Sequence, residues 1–126
     1  MKERKILVVE DDPTLRELTR RQLAKLGFDS LLVSTGEEAL EAYSPEISLI
    51  FMDIGLPGID GINATMLIRE KELQEQLARI PIVALTGHGD RERAILVGMD
   101  DYLRKPALIA DLKGKLDRWL PLPPAA

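Results

Sequence analysis

The chain has 126 residues, 45% of them hydrophobic and 30% charged, which suffices for one domain with one core and excludes a fibrous or disordered class. Its 17 Lys and Arg against 21 Asp and Glu give a net charge of -4, the sign opposite to that of most nucleic-acid readers, so direct nucleic-acid binding is not expected. The absence of cysteine excludes disulfides, thiolate metal sites and thiol nucleophiles; no apolar run approaches a membrane span or a signal-peptide core, so a cytoplasmic protein, or a soluble piece of one, is expected.

Short apolar runs alternate with amphipathic stretches, the pattern of βα units on a parallel sheet. The first run is Lys5 to Val9. Asp12-Pro13 then reads as an N-cap with proline at the first helical position, Leu15, Leu18, Leu23 and Leu26 as one helical face, and Gly27 as the stop. The second run, Phe28 to Val33, leads into Thr35-Gly36-Glu37-Glu38, a capping-box pattern opening a short helix that ends before Pro45. The third run is Ile47 to Met52, and Gly55, Pro57, Gly58 and Gly61 make its continuation a loop.

A long helix is expected over Ile62 to Ala78, with Ile62, Met66, Leu73 and Leu77 striping one side and Arg69, Glu70, Glu72 and Glu75 largely off it. The fourth run is Ile80 to Leu85, with Pro81 near its start. Thr86-Gly87-His88-Gly89-Asp90 is a polar loop, Arg91 to Val97 a brief helix closed by Gly98, and Tyr102-Leu103-Arg104 the fifth run. Ile109, Leu112, Leu116, Trp119 and Leu120 form the apolar face of the last helix. Five strands and five helices use up one domain over residues 1–120, and the proline-rich residues 121–126 form a tail or linker.

The chemistry concentrates where the apolar runs end. Glu10-Asp11 close the first run, Asp53 the third, and Lys105-Pro106 follow the fifth. In a parallel sheet these ends share one edge, where α/β proteins bind ligands. Two like charges about 4 Å apart repel by roughly 4 kcal/mol at an effective dielectric near 20. Three carboxylates therefore need a cation beyond Lys105. Oxygen-only ligands suit Mg²⁺, which commonly bridges carboxylate and phosphate, and an ionised aspartate needs no general base to act as a nucleophile.

At this point the residues resemble the receiver domain of two-component response regulators. The ordered motifs are Val8-Val9-Glu10-Asp11, Met52-Asp53 with Leu56-Pro57-Gly58 and Asp60-Gly61, Ala84-Leu85-Thr86-Gly87, and Gly98-Met99-Asp100-Asp101-Tyr102-Leu103 with Lys105-Pro106. The resemblance implies a flavodoxin-like (βα)5 fold with strand order 2-1-3-4-5. It implies Asp53 as phosphoacceptor, Glu10, Asp11, Asp53 and the Gly55 carbonyl around Mg²⁺, and Lys105 on the phosphoryl group. Thr86 would be the switching hydroxyl, Tyr102 the aromatic that follows it, and the Lys105-Pro106 bond would be cis. The implied partner is a sensor histidine kinase or a histidine phosphotransfer protein. Such a chain is a signalling module rather than an enzyme, and is expected as a monomer or weak dimer. The wording around Lys105-Pro106 and Arg118-Trp119-Leu120-Pro121 is closest to receivers of hybrid histidine kinases, either free-standing or cut from a larger protein.

Bland readings compete at several positions. Asp12 before Pro13 favours capping over metal binding. Thr86 also suits a helix cap, and Tyr102 fits packing as well as switching. His88 reads as an exposed loop residue that tunes water access at most. Met66 and Met99 read as packing, and Arg91-Glu92-Arg93 as a solvated helix face. The sequence departs from the family at Gly55 and Gly87, and the stretch from Thr86 to Lys105 is short by about one helical turn. That leaves a phosphorylation-independent pseudo-receiver as the main alternative. A phosphatase would want a second aspartate where Gly55 stands, and a flavodoxin-like cofactor binder would want a glycine loop where Glu10-Asp11-Asp12 stand.

Overall fold

Ile6, Leu7, Val8 and Val9 are all fully buried, as a strand covered on both faces requires. They belong to β1 (Lys5–Val9), followed by α1 (Pro13–Lys25), β2 (Asp29–Val33), α2 (Gly36–Ala42), β3 (Ile47–Asp53), α3 (Gly61–Gln74), β4 (Ile82–Thr86), β5 (Asp101–Arg104) and α4 (Ile109–Trp119). The computed structural model describes residues 5–55, 60–87, 94–95 and 97–120. The five strands form one parallel sheet in the order β2-β1-β3-β4-β5, as expected. One core joins Leu7, Val9, Ile50 and Met52 to Ala39 of α2 and Ile62, Ala64 and Ile68 of α3. The other joins Ile6, Val8, Leu49 and Phe51 to Leu23 of α1 and Leu112 and Leu116 of α4. Helices thus cover both faces of the sheet.

The capping chemistry follows the sequence. Asp12 accepts from Thr14 N at 2.8 Å and Leu15 N at 3.1 Å. Gly27, at φ +90°, closes α1, with Phe28 N bonded to Leu23 O and Gly27 N to Ala24 O, both at 3.0 Å. This use of Phe28 is why β2 starts one residue later than expected. Thr35 caps α2 by accepting from Glu38 N.

Several helical faces differ from expectation. On α1, Thr19 is buried and Leu18 is 40% exposed; the Thr19 hydroxyl is accommodated by donating to Leu15 O at 2.9 Å. On α4, Ile109 is exposed and Leu112 and Leu116 carry the burial. The third helix starts at Gly61, not Ile62, and ends at Gln74, not Ala78. Its buried side is Ile62, Ala64, Thr65, Ile68 and Glu72, whereas Met66 is 52% and Leu73 82% exposed. Met66 therefore does not pack in the core, while Met99 does. Glu72 is tolerated inside because Arg69 Nη1 pairs with it at 2.8 Å, and Ile80 N donates to it at 2.8 Å. Of the expected helix at 91–97, Ala94 and Ile95 are helical and most of the rest lies outside the described residues. So do His88, Arg91-Glu92-Arg93, the loop 56–59 and the tail 121–126.

Candidate functional site

Register brings the strand ends together. Val9 pairs with Met52, Asp53 with Leu85, and Thr86 with Arg104, so the residues at or just after each strand's carboxyl end (Glu10, Asp53, Thr86 and Lys105) line one rim. Glu10 and Asp53 are buried to 1% and 2% exposure, and Asp11 stands exposed at the mouth. Each of the three offers a carboxylate oxygen, and these oxygens lie within 4.8 Å of one another. Lys105 Nζ reaches between them, 3.0 Å from Asp53 Oδ2 and 3.2 Å from Glu10 Oε1. Gly55 enters through its N–H, which donates to Asp53 Oδ1 at 3.0 Å.

Burial, then hydrogen bonding with Asp53, pushes the Glu10 carboxyl up to about 7. Burial also raises Asp53, but its hydrogen bonds with Glu10, Lys105 and Gly55 N–H outweigh this and hold it below the usual range. Burial works against the Lys105 ammonium, yet Asp53 and Glu10 lift it above normal. The buried pair is thus an ionised Asp53 beside a carboxyl that gives up its proton reluctantly. A hard divalent cation suits this all-oxygen donor set, since it removes the repulsion that keeps the proton there.

The lysine is fixed by backbone. Lys105 N donates to Thr86 O at 2.8 Å, and the Lys105-Pro106 bond is cis. Thr86 is buried at the end of β4. Tyr102 lies two residues before Arg104 on β5, half-buried and packed against the α2–α3 core. It is therefore on the same sheet as the acidic cluster but not part of it.

Three supporting residues were not read from sequence in the roles they take, Gly61 being read only as a loop and motif residue. Arg16 Nη1 donates to the Glu10 carbonyl at 3.0 Å, fixing the β1–α1 loop. Gln22 Nε2 donates to Ala107 O at 3.0 Å, tying the loop after Lys105 to α1. Gly61 starts α3 against the Asp53 backbone: a Cβ there would meet Asp53 O at 2.0 Å. Of these only Gly61 left a trace in the sequence, inside the Asp60-Gly61 motif.

A family model for the response regulator receiver domain matches residues 6–117. The chain belongs to this family. Among similar proteins, hybrid signal transduction protein dokA of Dictyostelium discoideum is 39% identical over 116 residues, covering 91% of this receiver and 7% of dokA. Sensor histidine kinase GacS of Pseudomonas protegens is 38% identical, covering 91% of the receiver and 13% of GacS. The receiver thus spans only a small part of these relatives. The Saccharomyces cerevisiae response regulator Ssk1 receiver domain, solved with the histidine phosphotransfer protein Ypd1, superposes with a TM-score of 0.88 at 32% identity, covering 94% of this chain and 89% of that one. A Pseudomonas aeruginosa sensor histidine kinase receiver, solved with magnesium in its active-site cleft, gives 0.82 at 38% identity, covering 93% and 97%. Receiver domains are signalling modules of two-component and phosphorelay systems. No helix among the described residues is long and apolar enough to cross a membrane.

Proposed function

We propose that this receiver takes a phosphoryl group from a phosphohistidine onto Asp53 and signals by the conformational change that follows. The observation that carries the reading is the buried Asp53 carboxylate with Lys105 Nζ 3.0 Å away and the Glu10 and Asp11 oxygens within 4.8 Å. A carboxylate oxygen of Asp53 attacks phosphorus, the P–N bond of the donor breaks, and its electron pair stays on the imidazole. No base is needed, because Asp53 is held ionised. Such transfers depend on positioning and charge neutralisation more than on covalent help.

Glu10, Asp11 and Asp53, with the Gly55 carbonyl, would hold Mg²⁺, which when bound supplies positive charge for the phosphoryl oxygens. Lys105 neutralises the acyl phosphate from the other side. The Thr86 hydroxyl bonds the new oxygens, and the Tyr102 ring follows it. The donor is a sensor histidine kinase or a phosphotransfer protein, in keeping with the kinases among the relatives and the Ypd1 complex.

Incubation with Mg²⁺ and acetyl phosphate, read by intact mass, tests this. The expected result is a phosphate-sized gain that EDTA prevents and Asp53→Asn abolishes. No gain in the unsubstituted chain, with no metal-dependent NMR shift, would make it a pseudo-receiver; turnover of phosphate esters would make it a phosphatase.

A further inference from the structure

Asp101 is a buried carboxylate that the phosphoacceptor chemistry does not use. It opens β5 at 8% exposure and accepts three hydrogen bonds, from Lys115 Nζ at 2.9 Å, Trp119 Nε1 at 3.0 Å and Tyr102 N at 2.8 Å. Two of these donors are side chains of α4, so one carboxylate grips that helix at two points a turn apart. Lys115 Nζ also sits 5.9 Å from the centroid of the Tyr102 ring, within the range of a cation–π contact.

The topology makes this arrangement unusual. Side chains of adjacent strand residues point to opposite faces. Asp101 and Leu103 turn toward the α1–α4 core, while Tyr102 packs against the α2–α3 core. In a central strand a helix on one face cannot touch an aromatic on the other. Because β5 is the edge strand, Lys115 can reach around it from α4 to the Tyr102 ring. Tyr102 also borders an open surface groove with Arg104, Leu108, Lys115 and Arg118.

We propose that Lys115 is a positioning residue for the Tyr102 ring and, through the Asp101 carboxylate it shares with Trp119, couples that ring to the end of α4. When the ring moves, the Lys115 ammonium loses its π partner and shifts on Asp101, and the Trp119 hydrogen bond changes with it. The coupling rests on the reading of Tyr102 as the residue that responds to phosphorylation at Asp53, yet its geometry is independent of that chemistry.

Trp119 is the sole tryptophan, so its indole N–H resonance reports on Asp101 directly. With Mg²⁺ and beryllofluoride, both the Gly55 amide and the Trp119 indole signals are expected to shift in the full chain. In Lys115→Met the Gly55 shift should persist and the Trp119 shift be lost; Lys115→Arg should restore it. A merely structural Lys115 would leave the Trp119 response intact, and that result overturns the proposal. A Gly55 shift without a Trp119 shift in the unsubstituted chain overturns it as well. If neither signal responds, the phosphoacceptor reading fails, and the coupling is decided without any phosphoryl analogue. Tyr102→Leu should then move the Trp119 resonance in the native background and not in Lys115→Met; equal movement in both rejects the coupling.

Discussion

At Gly61 a single methyl group decides whether α3 can start where it does. The Cβ of an alanine would lie 2.0 Å from Asp53 O and 3.0 Å from Met52 Cγ, both fixed parts of β3. Gly61→Ala is expected to cost about 1–3 kcal/mol in urea unfolding and to slow phosphorylation of the displaced Asp53. Gly114→Ala makes the control, since its Cβ meets nothing within 4 Å, and should leave stability equal or slightly higher. The convergence of Glu10, Asp11, Asp53 and Lys105 was legible in sequence because each sits at or just past the end of an apolar run. Gly61 was not read as a close approach, because nothing in the local sequence says which backbone it will face. Arg16 and Gln22 left no signal, since their acceptors are carbonyl groups and one lies 85 residues away.

The elements differ in how plainly they could be read. Parallel strands buried on both faces announce themselves as apolar runs, as β1, β3 and β4 did. The edge strands β2 and β5 are only partly buried, and β5 opens on Asp101, which lies ahead of the run expected from sequence. The third helix misled because its burial is set by long-range charge pairing. Arg69 bonds Glu72, Asp100 Oδ2 and the carbonyls of Ile80 and Gly98, each at 2.8 Å, and so draws Glu72 inward while Leu73 points to water. Arg69→Met is expected to cost about 3–5 kcal/mol, because it leaves the buried Glu72 carboxylate without its cation, while half-buried Asp100 keeps Arg79. The grip on β5 has its own pH signature. Burial raises the Asp101 carboxyl, but the Trp119, Lys115 and Tyr102 N–H bonds hold it below normal. Its contribution to stability is therefore present above the unfolded-chain value of about 3.9 and is lost as pH falls below that. Thermal melts of Asp101→Asn should show lower stability at neutral pH and a shallower decline below about pH 4.

For the whole molecule, a cation that binds the folded acidic cluster and not the unfolded chain must stabilise it. Mg²⁺ at about 100 times its dissociation constant should add about 2.7 kcal/mol to the unfolding free energy. EDTA should reverse the gain, and Asp11→Asn should remove most of it. Asp11 suits this test because it is exposed and its loss leaves the core intact.

The architecture also fixes where Lys5 and Leu120, the first and last described residues, lie. Lys5 opens β1 at the rim remote from Asp53, and α4, 11 residues or about 16 Å long, carries the chain from the Lys105 loop back until Trp119 meets Asp101 at the start of β5. Lys5 and Leu120 therefore both lie on the far side from the acidic mouth. Neither described end crowds the approach to Asp53, and a strain applied at Leu120 would bear first on the Trp119 hydrogen bond to Asp101.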